Sequence, residues 1–207
     1  IIKRLPLRFN YDLNYFNDKY VGIPEGGYTH LFEKLLNGID YELKVDYFKN
    51  LEYFNNIAKK TIFTGKIDEY FNYQHGELEY RTLDFNHEFI DSENLQGCPV
   101  INYTSHDVPY TRTIEHKHFE RSKSDKTVIT HETPAVWHRK KIPYYPVNDR
   151  KNNDIFKKYK NDSEKIKNLI FGGRLGSYKY YDMHQVIGAS LSKVKEEING
   201  NSWIFAK

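Results

Sequence analysis

NLIFGGRLGSYKYYDMHQVIGASLSKVKEEI, residues 168–198, carries the clearest structural pattern in the chain. Its apolar run Leu169–Phe171 predicts a strand, which ends at a pair of glycines. Asp182 followed by Gln185 fits a capping box, so a helix is expected to begin there. Apolar residues then recur at helical spacing: Met183, Val186, Ile187, Leu191, Val194 and Ile198. A strand that leads through glycines to a helix N-terminus presents free N–H groups and positive potential to an anion.

An ordinary strand–turn–helix unit would show the same pattern, so the helix alone does not identify a binding site. The residues between strand and helix favour one, because Arg174 lies close in sequence to Tyr178, Tyr180 and Tyr181. A guanidinium offers donors that match phosphate oxygens, and phenols add further donors. We therefore expect this turn to contact an anionic ligand.

Bulk composition excludes several classes of protein. The 207 residues suffice for one large or two small domains. A formal net charge of +3 does not favour a nucleic-acid partner. The single cysteine, Cys98, excludes an intramolecular disulfide and predicts a reducing, cytoplasmic compartment. No apolar run approaches the roughly 20 residues of a membrane span, so no membrane partner is expected.

The chain begins with Ile1, and its one methionine is Met183. An initiator methionine is not usually removed before a bulky isoleucine. We therefore expect this sequence to be a piece of a longer protein.

Upstream of residue 168 the patterns predict an α/β segment followed by an antiparallel sheet. A helix is expected over 28–36 with Thr29 as its cap, and strands over 41–45 and 61–64. The highly charged segment 153–167 predicts a solvated helix. Short β-rich runs separated by turn residues predict the antiparallel sheet, over residues 78–83, 100–103, 110–119 and 127–130.

Strand alternation over 110–118 places Arg112 on one face with Ile114. An arginine on such a face is costly unless it meets an anion or pairs with a carboxylate, and the sequence leaves both options open. His116 and His118 share that face and could supply two metal ligands. Because no third ligand stands at a suitable spacing, we expect no metal. The chain also lacks a Gly-x-Ser-x-Gly elbow and a Gly-x-Gly-x-x-Gly fingerprint.

Six motifs, taken in order, resemble the carboxyl-terminal half of UDP-galactopyranose mutase: RLPLRFNYDLNYF, IPEGGYT, GELEYRTLDF, VPYTRTIEHKHF, KIPYYPV and GGRLGSYKYYDM. The resemblance covers nearly the whole chain. It implies a flavoprotein that interconverts UDP-galactopyranose and UDP-galactofuranose with reduced FAD and no net redox change. It also implies that the glycine fingerprint of the FAD domain lies upstream of Ile1.

The resemblance further implies a fold class, α/β plus antiparallel β, divided between two domains. Residues 1–28 and 68–145 would form an antiparallel sheet substrate domain. Residues 29–67 and 146–207 would be the segments that complete a discontinuous, Rossmann-like FAD domain. Because half of the FAD site would be absent, the chain alone is expected to be inactive. The alternative is a non-catalytic fragment that binds UDP or a UDP-sugar, and the oligomeric state stays open, a homodimer included.

The resemblance also implies roles for individual side chains. Arg4 and Arg112 would clamp the UDP diphosphate. Further substrate contacts would come from Tyr15, Arg81, Asn102, Tyr145 and Tyr180. FAD contacts would come from Asp46, Tyr47, Arg174, Asp182 and Met183, the last two at a helix start whose dipole favours the negative charge of a reduced flavin. The residues expected to act in catalysis are Arg4, Arg112, Tyr180 and Asp182.

Overall fold

A computed structural model describes residues 9–11, 18–120 and 123–200. Within these ranges the helices are α1 (Gly27–Leu35), α2 (Leu51–Ile57), α3 (Ile67–Tyr70), α4 (Lys117–Glu120), α5 (Arg150–Ser163), α6 (Gly173–Gly176) and α7 (Met183–Gly200). The strands are β1 (Thr61–Phe63), β2 (Tyr80–Ile90), β3 (Val100–Asn102), β4 (Arg112–Glu115), β5 (Thr127–Ala135), β6 (Tyr145–Pro146) and β7 (Leu169–Phe171).

The strands form two sheets of different kinds. Five of them make an antiparallel sheet in the order β3-β4-β5-β2-β6. The other two, β1 and β7, pair in parallel, with Thr61 opposite Leu169 and Phe63 opposite Phe171. The mixture of α/β and antiparallel structure is thereby confirmed, whereas the Rossmann-like character of the parallel part stays a prediction.

The described residues fall into two compact units. One holds the described residues of 1–43, 88–101 and 114–130, and the other those of 44–87, 102–113 and 131–200. In the first, the Ile129 side chain and the Glu115 carboxylate are both fully buried. The second unit has an aromatic core, formed by Ile67, Leu78, Tyr80, Tyr159 and Tyr178.

Helix α7 begins where the sequence predicts. The Asp182 backbone N–H donates to Gln185 Oε1 at 2.8 Å, which is one half of the expected capping box. Much of its apolar face is exposed in the described part of the chain, since Met183 is 62% and Leu191 59% exposed. None of the helices in the described ranges is long and apolar enough to cross a membrane.

Helix α1 also forms where it is expected, but its predicted cap is wrong. Gly26, with φ 78°, precedes the helix and no side chain caps it, so Thr29 lies inside the first turn. The strand predicted over 41–45 is wrong as well. Lys44 adopts a left-handed conformation with φ 61°, which interrupts an extended backbone.

The strand predicted over 110–119 is too long. Strand β4 ends at Glu115, and the backbone turns into α4, with Phe119 N donating to His116 O at 3.1 Å. His118 Nε2 then lies 3.1 Å from Glu115 Oε2, an interaction that a continuous strand would not allow. His116 and His118 therefore do not share a strand face with Arg112.

Helix α5 is not the fully solvated element that its charge predicts. Tyr159 and Asn152 lie on its inner face and are completely buried. The Tyr159 hydroxyl donates to Gly76 O at 2.7 Å and accepts the His75 backbone N–H at 3.0 Å. Tyr159, together with the partly buried Ile155 and Phe156, thus anchors a helix whose other face is charged.

Helix α6 is a short turn after β7 that sequence patterns do not predict. Gly176 is buried there, and a Cβ at this position would lie 2.9 Å from Phe63 O. Contact with a backbone oxygen cannot be relieved by a change of rotamer. The glycine therefore allows α6 to lie directly against β1.

We expect Gly176→Ala to lower the free energy of unfolding by about 2 kcal/mol, because the methyl group would push α6 away from β1. The matched control is Gly188→Ala in α7, where no atom lies within 4 Å of the added methyl. That variant should gain about 0.5 to 1 kcal/mol, as exposed helical glycines do on replacement by alanine. Urea unfolding of the two variants measures the difference, and equal effects would contradict this account.

Candidate functional site

Two tyrosines and an arginine of the second unit form a compact cluster. The rings of Tyr145 and Tyr180 stack with centroids 5.2 Å apart and planes 20° apart. The Arg174 guanidinium carbon lies 5.3 Å from the Tyr145 centroid and 5.1 Å from the Tyr180 centroid. Cation–π contact with both rings holds the guanidinium between strand β6 and the segment before α7.

Arg174 retains an unused donor. Its Nε is buried and makes no hydrogen bond to any residue in the described part of the chain. A buried charged donor without a partner is costly, so this position fits a ligand oxygen. FAD and UDP both carry a diphosphate, and the N–H of Arg174 suits such an acceptor.

Arg112 is held along one edge by two polar neighbours. Its Nε donates to Asn102 Oδ1 at 2.9 Å, and its Nη1 lies 3.6 Å from Glu132 Oε2. The Arg112 side chain is nevertheless 42% exposed, compared with 10% for Glu132. The carboxylate partner that the sequence left open therefore exists, and part of the guanidinium remains accessible to an anion.

Glu132 was not identified from the sequence as a site residue. It is a buried residue of β5, between the half-buried His131 and the exposed Thr133. The available signal was a carboxylate at an inward position of a strand, which is costly unless it is paired. No motif drew attention to it, because its partner Arg112 lies on another strand.

The electrostatic environment of Tyr145 connects the two arginines. Burial is the largest influence on the Tyr145 hydroxyl and raises its pKa above the ordinary value, and Tyr180 acts in the same direction. The positive charges of Arg112 and Arg174 act against that rise. Both guanidinium groups are thus within electrostatic range of this hydroxyl, which stays protonated at neutral pH and can donate to a phosphate oxygen.

Arg81 lies beside the same cluster. In the β2–β6 pairing Arg81 stands opposite Tyr145, and its carbonyl oxygen accepts the Tyr144 N–H at 3.0 Å. Residues opposite each other in an antiparallel pair project from the same face. The structure therefore places Arg81 next to the predicted substrate residue Tyr145.

The residues predicted to contact the cofactor are distributed over two regions. Asp182 and Met183 stand at the start of α7, close in sequence to Tyr180. Asp46 accepts the Phe48 N–H at 3.0 Å and so uses one carboxylate oxygen locally. The Tyr47 ring packs against Phe63 with centroids 5.4 Å apart, beside strand β1. Their roles towards FAD stay predictions.

Two predicted site residues, Arg4 and Tyr15, lie outside the described residues. Among the residues that are described, no group of three or more His, Cys, Asp or Glu side chains could hold a metal ion. The candidate site therefore consists of Arg112 with Asn102 and Glu132, and of the Arg174, Tyr145 and Tyr180 cluster with Arg81 beside it.

Comparison with known proteins gives one family. The family model described as UDP-galactopyranose mutase matches residues 1–180. A dTDP-fucopyranose mutase from Escherichia coli is 39% identical over 97% of this chain and 55% of its own length. A probable UDP-galactopyranose mutase from Klebsiella pneumoniae is 40% identical over 95% of this chain and 51% of its own. A UDP-galactopyranose mutase from Mycoplasma genitalium is 34% identical over 95% of this chain and 52% of its own length. The chain thus spans about half the length of these curated relatives.

Proposed function

Because the chain belongs to the UDP-galactopyranose mutase family, we propose that it is part of a flavin-dependent mutase that interconverts UDP-galactopyranose and UDP-galactofuranose. In this proposal it supplies most of the clamp for the UDP diphosphate. The observation that carries the proposal is the packing of the Arg174 guanidinium against the stacked rings of Tyr145 and Tyr180, and the charge of Arg112 also lowers the pKa of the Tyr145 hydroxyl against the effect of burial.

The clamp acts on the charge of the nucleotide. Arg112, together with Arg4, would donate to the diphosphate oxygens, and the hydroxyls of Tyr145 and Tyr180 would complete the set. Donors fixed in place stabilise negative charge as it develops on the departing diphosphate. They also hold UDP near the sugar for its return, which keeps the two reactants at high effective concentration.

The residues present fit a share of an FAD site. Arg174 offers a buried and otherwise unused N–H, and Asp182 and Met183 stand at the positive end of the α7 dipole. With Asp46 and Tyr47 they would hold the cofactor. FAD in its reduced form would supply the covalent chemistry at the sugar.

Exposed apolar surface supports the proposed need for further polypeptide. Helix α7 leaves a row of aliphatic side chains in solvent, and β1 and β7 form only a two-stranded parallel pair. Parallel sheets are normally covered on both faces. We assign 29–67 and 146–207 to a discontinuous Rossmann-like FAD domain, and 1–28 and 68–145 to a substrate domain.

We expect the chain alone to show no turnover when incubated with reduced FAD and UDP-galactofuranose, because half of the cofactor site is missing. The Klebsiella pneumoniae relative serves as the positive control. Because no turnover is expected, titration of the chain with dTDP in place of UDP tests a second candidate substrate class, since the Escherichia coli relative is similar to nearly the same degree. Clear isomerisation by the chain alone would overturn its proposed inactivity.

A further inference from the structure

Tyr178 has an unusual backbone conformation for a residue with a side chain. Its φ is +45°, in the left-handed region. It follows the end of α6 in a Schellman turn, in which Lys179 N donates to Arg174 O at 3.0 Å and Tyr178 N to Leu175 O at 3.3 Å. Glycine is favoured at this position because a Cβ is disfavoured at positive φ. A tyrosine here has a conformational cost that its side-chain contacts must offset.

Those contacts join two other parts of the second unit. Tyr178 is 2% exposed, and its ring meets the Tyr80 ring edge-on with centroids 5.4 Å apart. Its hydroxyl donates to Glu79 O at 2.6 Å and accepts the Val147 N–H at 3.1 Å. Val147 N also donates to Glu79 O at 3.0 Å, so the phenol closes the end of the β2–β6 ladder.

The two residues joined by the hydrogen bond between the Tyr178 hydroxyl and Val147 N are close in sequence to residues of the candidate site. Tyr145 stands two residues before Val147 on the strand that the hydroxyl fixes. Tyr180 stands two residues after Tyr178, and Arg174 is the residue whose carbonyl closes the turn. Tyr178 is therefore the side chain that ties the backbone carrying one stacked phenol to the strand carrying the other.

We propose that Tyr178 is a positioning residue of the diphosphate site. Its hydroxyl fixes the separation between Tyr145 and Tyr180, and through their stacked rings it fixes the guanidinium of Arg174. A displacement of this stack by a fraction of an ångström would misalign donors that must meet phosphate oxygens together. The proposal rests on the proposed function of this site in nucleotide binding.

The test is Tyr178→Phe in the full chain, with UDP as the probe. The ring remains, and Val147 N keeps its bond to Glu79 O, so the fold persists. We expect the Kd for UDP, measured by calorimetry, to rise about tenfold. We also expect the NMR signal of the Arg174 Nε–H to shift and to exchange faster with solvent, with or without UDP.

Tyr159→Phe is the matched control. Tyr159 is equally buried, and its hydroxyl likewise donates to a carbonyl and accepts a backbone N–H, but those groups belong to Gly76 and His75. The Tyr159→Phe variant should lose about as much thermal stability as Tyr178→Phe. Its Kd for UDP and its Arg174 Nε–H signal should stay at the wild-type values.

Three results are informative. A change in both readouts for Tyr178→Phe alone supports the proposal. Equal changes in the two variants, or none in either, overturn it and leave the proposed function intact. If the unsubstituted chain binds no UDP, the proposed diphosphate clamp fails, and the Arg174 signal alone then decides whether Tyr178 positions that side chain.

Discussion

Replacing Arg112 with alanine is expected to weaken UDP binding by 10- to 100-fold, or about 1.4 to 3 kcal/mol. The accessible part of its guanidinium would otherwise form charge-assisted hydrogen bonds to the diphosphate. Calorimetric titration with UDP measures the loss, and the affinity of the unsubstituted chain should fall as salt is added. Arg150→Ala is the matched control, because Arg150 is an exposed arginine at the start of α5.

Removal of Arg112 also leaves the buried Glu132 carboxylate without its partner. Loss of binding could then reflect local distortion rather than loss of a ligand contact. The double variant Arg112→Ala/Glu132→Gln removes the unpaired charge and should regain stability without regaining affinity. Wild-type affinity in the double variant would contradict a direct role of Arg112 in binding UDP.

Replacing Glu115 with alanine is expected to lower the free energy of unfolding by about 3 kcal/mol or more. The Glu115 carboxylate is completely buried and accepts the backbone N–H groups of Leu95 at 3.1 Å and Gln96 at 2.9 Å. Without it, both backbone N–H groups lose this acceptor, and a cavity replaces the buried carboxylate. Chemical denaturation measures the loss, with the exposed Glu93→Ala in the same unit as the control.

The same carboxylate predicts a pH dependence. Burial alone would raise the pKa of Glu115, but hydrogen bonds from Gln96 and Leu95, with smaller contributions from Thr127 and His118, lower it to about 2 from 4.5. A folded-state pKa below the unfolded value gives stability that is present above pH 4.5 and is lost as the pH falls towards about 2. In acid titration, Glu115→Gln should not show this loss of stability below pH 4.5. An identical acid profile for the wild type and the variant would contradict the assignment of the loss to Glu115.

Local patterns predict the elements that depend on nearby residues. The apolar run that becomes β7 and the helical periodicity of α7 were sufficient for both elements. Arg174, Tyr145 and Tyr180 could be named in advance because short motifs carry them. The structure brings these three side chains together, whereas their contacts with FAD and substrate stay predictions.

The features that the sequence did not predict depend on contacts between distant segments. The left-handed Tyr178 depends on the carbonyls of Glu79 and Val147, which flank β2 and β6 and which no local pattern contains. Glu132 matters because it meets Arg112, twenty positions earlier in the chain. The burial of Tyr159 in a charged helix depends on the 75–76 turn. In each case the contact partner is remote in sequence. The identity of the residue itself therefore does not indicate which contact it makes.

The pairing of β1 with β7 has a consequence for synthesis on the ribosome. Roughly 100 residues separate the two strands, and at 5 to 20 residues per second they emerge about 5 to 20 s apart. During that interval β1 lacks the β7 partner that it has in the described residues, and its Ile62 and Phe63 side chains are open to chaperones or to misassembly. The parallel pair is therefore expected to close late, after many of the antiparallel contacts have formed.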